Sequence, residues 1–155
     1  MEHSIKPTLF NNNILPKSKP LLYYLMPALV WALLIALLCG MPGTSVPHVS
    51  WLELLSFDKL VHASLFFVLT TLSYFGIYAK YKIVYFSNEP VYFSVLLISV
   101  AYGGLLELLQ STFFVARSAD VYDFFANSFG VIIASIYFNE ISYYKNKLML
   151  SSVKK

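Results

Sequence analysis

The run LLYYLMPALVWALLIALLCGM, residues 21–41, contains no charged side chain. As a helix rising about 1.5 Å per residue it would extend roughly 31 Å, which matches a bilayer hydrocarbon core of about 30 Å. The run is too long for the apolar region of a cleaved signal peptide, and no clear small-residue cleavage site follows it. It therefore reads as a membrane-spanning helix. Pro27 falls in its second turn, where neighbouring helices can re-satisfy the backbone group that proline frees. Cys39 raises the question of a lipoprotein cleavage site, but Leu37 and Leu38 stand where a small residue is required. A buried thiol is expected instead, and a single cysteine excludes an intramolecular disulfide.

Working outward, the whole chain has the same character. Of 155 residues, 58% are hydrophobic and only 12% charged, where a soluble domain carries about 25% charged residues. Mean hydropathy is +0.66, which places the protein in the membrane class. Three more apolar segments are long enough to span, at about 59–78, 91–114 and 120–143. Residues 42–58, PGTSVPHVSWLELLSFD, form a loop in which Pro42, Gly43 and Pro47 stop the first helix. Within that loop WLELLSF is expected to lie at the interface, with Trp51 at headgroup level. The predicted fold is an all-α bundle of four transmembrane helices over residues 21–143. A polar tail (1–20) precedes it and a basic tail (144–155) follows. There is no internal repeat.

The basic residues orient this bundle. Lys6, Lys17 and Lys19 precede the first span, Lys80 and Lys82 join the second to the third, and Lys145, Lys147, Lys154 and Lys155 follow the fourth. The other two loops hold only Lys59 and Arg117. The positive-inside rule then predicts a multi-pass membrane protein with both termini cytoplasmic. The lysines form no stripe that could follow a nucleic acid, so no nucleic-acid partner is expected.

With that topology the remaining polar residues collect at the outer end. Asp58, Lys59 and His62 open the second helix, Glu107 and Gln110 close the third, and Arg117, Asp120, Asp123 and Asn127 open the fourth. Asp58 and His62 share a face at a spacing of four. Ser99, Gly103, Glu107 and Gln110 form one stripe, and Asp120, Asp123, Asn127, Gly130 and Ala134 form another. Polar stripes facing lipid would cost roughly 2.5–3.5 kcal/mol per central charge, so the stripes are expected to face one another. Depth along the helices predicts an inner layer of His62, Glu107 and Asn127 and an outer layer of Asp58, Lys59, Arg117, Asp120 and Asp123. Gln110 would lie between them.

At these residues the sequence resembles the VanZ-like family of small bacterial membrane proteins. The resemblance rests on DKLVHASLF (58–66), GGLLELLQ (103–110) and RSADVYDFFANSFG (117–130), in that order, and covers roughly residues 25–140. Its founding member is associated with resistance to the glycopeptide teicoplanin, so the resemblance implies a cell-envelope role. It also implies that the membrane is the bacterial inner (cytoplasmic) one. It supplies no reaction, since a shared fold does not carry one.

The residues themselves leave several uses open. Asp120 and Asp123 suit a helix N-terminus through capping and the macrodipole, and Arg117 can pair with either, which would make the outer layer structural. His62 and Glu107 can be a register-fixing hydrogen-bonded pair or an acid–base pair. Ligand chemistry alone would allow a metal at His62, Glu107, Asp120 and Asp123. No HExxH, CxxC or calcium-loop spacing supports one, however, and no metal or cofactor is expected. Ser64 and Ser111 lack a nucleophile elbow and are expected to bond back to their own backbone. Phe113, Phe114, Phe124 and Phe125 are expected to be packing residues, or an aromatic rim that grips a lipid tail.

The expectation is therefore a pocket with His62 and Glu107 as the acid–base pair. Asp58, Lys59, Gln110, Arg117, Asp120, Asp123 and Asn127 would bind or orient the partner. That partner would be a membrane lipid or a lipid-linked envelope precursor. A non-enzymatic scaffold or a small proton-coupled carrier is the alternative. A carrier would need polar residues continuing toward the cytoplasm, where only Thr70, Thr71, Ser73 and Ser99 are evident.

Overall fold

The computed structural model describes residues 19–40, 57–81, 90–113 and 121–153. They form four helices: α1 (Leu21–Cys39), α2 (Phe57–Tyr81), α3 (Pro90–Phe113) and α4 (Val121–Val153). Each contains a stretch long and apolar enough to cross a membrane. This is a multi-pass, all-helical architecture. The interfacial segment expected around Trp51 and the two terminal tails up to residue 18 and after 153 lie outside the described residues, as do Arg117 and Asp120.

Helix ends follow local chemistry. Proline at the first position of α3 starts a helix without losing an intrahelical hydrogen bond. Pro20 precedes α1 and accepts from Tyr23 N at 3.1 Å, and Gly40 N closes its far end on Ala36 O at 2.9 Å. The membrane span of α4 ends at Tyr144, close to where it is expected, but the helix itself runs on. Instead of giving way to a tail near residue 143, α4 continues through Lys145 and Lys147 to Val153. No proline or glycine stands between 131 and 153 to stop it, so propensity carries the helix past its apolar span.

Helix α2 is the hub, in contact with the other three, and among the described residues α1 and α4 do not touch. The tightest approach is α2 on α4. A Cβ added at Gly130 would run into the Ala63 carbonyl, so only glycine allows this crossing, as small residues do at many membrane helix interfaces. Two polar side chains tie the remaining helices together. Trp31 Nε1 donates to Leu65 O at 3.0 Å and Tyr102 Oη donates to Ala32 O at 2.7 Å. Both bonds end on carbonyls of a neighbouring helix.

The interior divides into two apolar clusters. Ile35, Phe66, Leu69, Leu106 and Val131 fill the middle. Tyr74, Ile77, Val95 and Phe138 fill the end near the start of α1. In the second cluster Tyr74 stacks on Phe138, with ring centroids 5.0 Å apart, and its hydroxyl lies 3.1 Å from both Tyr92 O and Ser135 Oγ. The outside remains apolar: Leu33, Leu37, Leu97, Ile98, Ile132 and Ile136 are all exposed. A folded chain with this exterior suits lipid and would aggregate in water.

Candidate functional site

Three helix ends converge opposite the Tyr74 cluster: the starts of α2 and α4 and the last turns of α3. The stripes read from the sequence do turn inward there. Ser99, Gly103, Glu107 and Gln110 are all buried on α3, as are Asp123, Asn127, Gly130 and Ala134 on α4. Gly103 is part of the reason. A Cβ there would lie 3.2 Å from Asn127 Cβ and 3.3 Å from the Phe66 ring, so its absence lets α3 bring Glu107 close to the other two helices.

The centre is a chain of hydrogen bonds across three helices. His62 Nδ1 lies 3.1 Å from Asn127 Oδ1, and Asn127 Nδ2 donates to Glu107 Oε1 at 3.2 Å. All three residues are buried, Asn127 to 1% exposure. The inner layer of His62, Asn127 and Glu107 expected from helical depth is therefore assembled. The acid and the imidazole do not touch directly, because Asn127 stands between them.

That arrangement fixes the imidazole tautomer. An amide that donates through Nδ2 to a carboxylate offers its carbonyl oxygen to the other neighbour, and a carbonyl oxygen only accepts. His62 Nδ1 therefore carries the hydrogen. The opposite amide orientation would set Asn127 Oδ1 against a Glu107 carboxylate oxygen. Nε2 then points away from the inner layer, 3.9 Å from Asp58 Oδ1 and 3.9 Å from Asp123 Oδ2. These separations exceed hydrogen-bond length.

The outer layer is partly described. Asp123 is 8% exposed and divides its carboxylate: Oδ1 is 3.4 Å from Lys59 Nζ while Oδ2 faces His62. Asp58 is largely exposed, its side chain 68% accessible. Gln110 is buried, as the inward stripe requires. Its Nε2 donates to Cys39 O at 3.2 Å, so its described role is to bind the end of α1, where a chain leaving a helix has carbonyls without intrahelical partners. Cys39 is buried, as expected. Ser64 and Ser111 both bond back to helix carbonyls, at 2.7 and 2.8 Å.

Beside this site a largely open, apolar depression of about 620 Å³ lies on α2 and α4, lined by Lys59, Leu60, Ala63, Phe125 and Phe129 among others. The sequence pointed to Phe125 as packing or rim. It is 62% exposed and forms part of this lining.

Sequence reasoning missed the buried polar residues farther down. Tyr74 and Ser135 were hidden in aromatic and aliphatic runs, although Ser135 lies eight residues after Asn127, near the same helix face. Phe66 and Val131, each wholly buried, occupy the intervening turn on α2 and α4. On these two helices apolar side chains thus stand between the upper polar cluster and the lower one.

Comparison with family models, with curated proteins and with solved structures gives no match.

Proposed function

We propose that the protein is a VanZ-like component of the bacterial cell envelope that binds or modifies a lipid-linked or cell-wall precursor at the outer leaflet of the inner membrane, with both termini cytoplasmic. The observation that carries this reading is the buried His62–Asn127–Glu107 chain at one end of the bundle. Ionisable groups inside a membrane are costly and mark functional sites by default. A register-fixing pair would need only one hydrogen bond. This chain instead holds an acid and an imidazole next to two more carboxylates and a lysine.

In this reading His62 and Glu107 are the acid–base residues and Asn127 positions both. Lys59, which lines the apolar depression, suits an anionic headgroup whose tail would lie along Phe125 and Phe129. Arg117, Asp120 and Asp123 would orient the polar part, Arg117 being the better fork for a phosphate. The three sequence motifs support the family reading, and with it a link to glycopeptide (teicoplanin) resistance. The alternatives are a non-enzymatic membrane scaffold, which the packing roles of Gln110 and Gly103 favour, and a proton-coupled carrier. Buried Thr70, Tyr74 and Ser135 favour the carrier, but the Phe66–Val131 layer would have to open for any path to form.

Glu107→Gln decides among these. It keeps an oxygen to accept from Asn127 and removes only the charge. Normal membrane abundance with altered lipid or cell-wall composition, or altered teicoplanin susceptibility, is expected. Normal abundance with an unchanged envelope would overturn the active-site reading in favour of the scaffold.

A further inference from the structure

Asp58, His62 and Asp123 each offer one ligand atom, and the three atoms lie within 4.8 Å of one another. We infer that this trio is a binding site for one divalent transition-metal ion of the Mn²⁺ or Zn²⁺ type.

Two carboxylates near each other do not by themselves make a site. The imidazole is the second observation. His62 is 5% exposed, its Nδ1 is committed to Asn127, and its Nε2 is aimed at the two carboxylates. Within hydrogen-bond distance, Nε2 has no partner among the described residues. With the imidazole neutral, Nε2 carries the lone pair and turns it toward the two carboxylates. Metal-ligating histidines characteristically donate their other N–H to a carbonyl or carboxylate, which fixes both tautomer and ring orientation. Asn127 Oδ1 does this here, and Glu107 in turn holds Asn127 through its amide nitrogen.

The geometry is compatible with a small ion. For three atoms that all lie within 4.8 Å of one another there is a point no more than about 2.8 Å from each. Reaching the roughly 2.0–2.2 Å typical of zinc–nitrogen and zinc–oxygen bonds requires movement of well under 1 Å. Asp58 can supply it, since its side chain is exposed and lies on the first turn of α2. Asp123 can ligate through Oδ2 without surrendering Lys59, which contacts Oδ1. With His62 neutral, Asp58 and Asp123 against Lys59 give a formal charge of −1 among the described residues of this cluster, which a divalent cation complements. One imidazole nitrogen with two carboxylate oxygens selects Mn²⁺, Fe²⁺ or Zn²⁺ over alkaline-earth ions, which prefer oxygen alone. Glu107, beyond Asn127, is not a ligand. The set therefore differs from the one that ligand chemistry alone suggested.

The inference stands apart from the envelope reading, because it is tested without any lipid-linked substrate. The full chain, purified into nanodiscs of zwitterionic phosphatidylcholine, is titrated with Mn²⁺ and followed by electron paramagnetic resonance. One Mn²⁺ per chain is expected, displaced by Zn²⁺ as the usual order of divalent affinities requires, with nitrogen coupling from a single imidazole in pulsed spectra. Asp58→Asn, at an exposed position that leaves the fold intact, should weaken binding at least about tenfold, and Asn127→Ala should weaken it roughly 10- to 100-fold through loss of ring orientation. His62→Ala should abolish the nitrogen coupling. No uptake of Mn²⁺ or Zn²⁺, or uptake unchanged in Asp58→Asn, would overturn the inference and make the trio an ion-pair cluster around an imidazolium.

Discussion

Asn127→Ala tests the central chain most directly. The substitution removes two interhelical hydrogen bonds, to His62 Nδ1 at 3.1 Å and to Glu107 Oε1 at 3.2 Å. Measured interhelical hydrogen bonds in membrane proteins average about 0.6 kcal/mol with a maximum near 1.7, so two of them bracket about 1.2 to 3.4 kcal/mol. Both bonds here are buried, and each loss deprives a polar group of a partner it cannot replace with bulk water, a cost of about 1–3 kcal/mol per group in proteins generally. The upper half of the bracket is therefore expected, about 2–3 kcal/mol. That is roughly a 30- to 150-fold shift in the unfolding equilibrium. Reversible unfolding in mixed micelles, followed by the fluorescence of the two tryptophans, Trp31 and Trp51, would measure it. A double-mutant cycle with His62→Ala should show coupling above about 0.5 kcal/mol, as residues in one network do. A cost for Asn127→Ala below about 0.5 kcal/mol, as at an ordinary surface position, would refute the view that this chain holds three helices together.

Other outcomes follow from the same contacts. Gly130→Val drives a side chain into the Ala63 carbonyl and should cost about 1–3 kcal/mol or more by overpacking, read as a loss of membrane-inserted protein in fractionated cells. Tyr74→Phe keeps the stacking on Phe138 and removes the hydroxyl near Tyr92 O and Ser135 Oγ. It should lower stability by about 0.6–1.2 kcal/mol in the same unfolding assay. Lys59→Met deletes a half-exposed ion pair with Asp123 and should change stability by less than about 1 kcal/mol, while weakening capture of an anionic lipid in a vesicle-exchange assay if the lysine serves the apolar depression.

Much of this protein was legible one residue at a time. Four long apolar stretches point to helices and a membrane solvent, because in lipid only a helix satisfies its backbone within a single segment. The inward direction of Glu107, Asp123 and Asn127 was legible too, since helical spacing and the cost of charge in lipid leave few alternatives. Other features were not. Gln110 lies on the expected face, yet its partner is the carbonyl of Cys39, 71 residues away in the chain, and no periodicity encodes such a pairing. Ser135 and Tyr74 gave no signal because a hydroxyl in an apolar run looks the same whether it faces lipid or a neighbour. The continuation of α4 to Val153 was missed because hydropathy marks where a membrane span ends, whereas a helix ends at a breaker.

The chain alone determined that helices cross a membrane and that their polar stripes gather at one end, because hydropathy and the 3.6-residue period are local properties written into each segment. Only the tertiary structure decided that Asn127 stands between His62 and Glu107, that it sets the histidine tautomer, and that Nε2 is thereby turned toward Asp58 and Asp123. Those choices depend on helix rotation and on how closely α2, α3 and α4 approach at Gly103 and Gly130. Distances of a few ångströms between helices are a property of their packing, which no single segment carries.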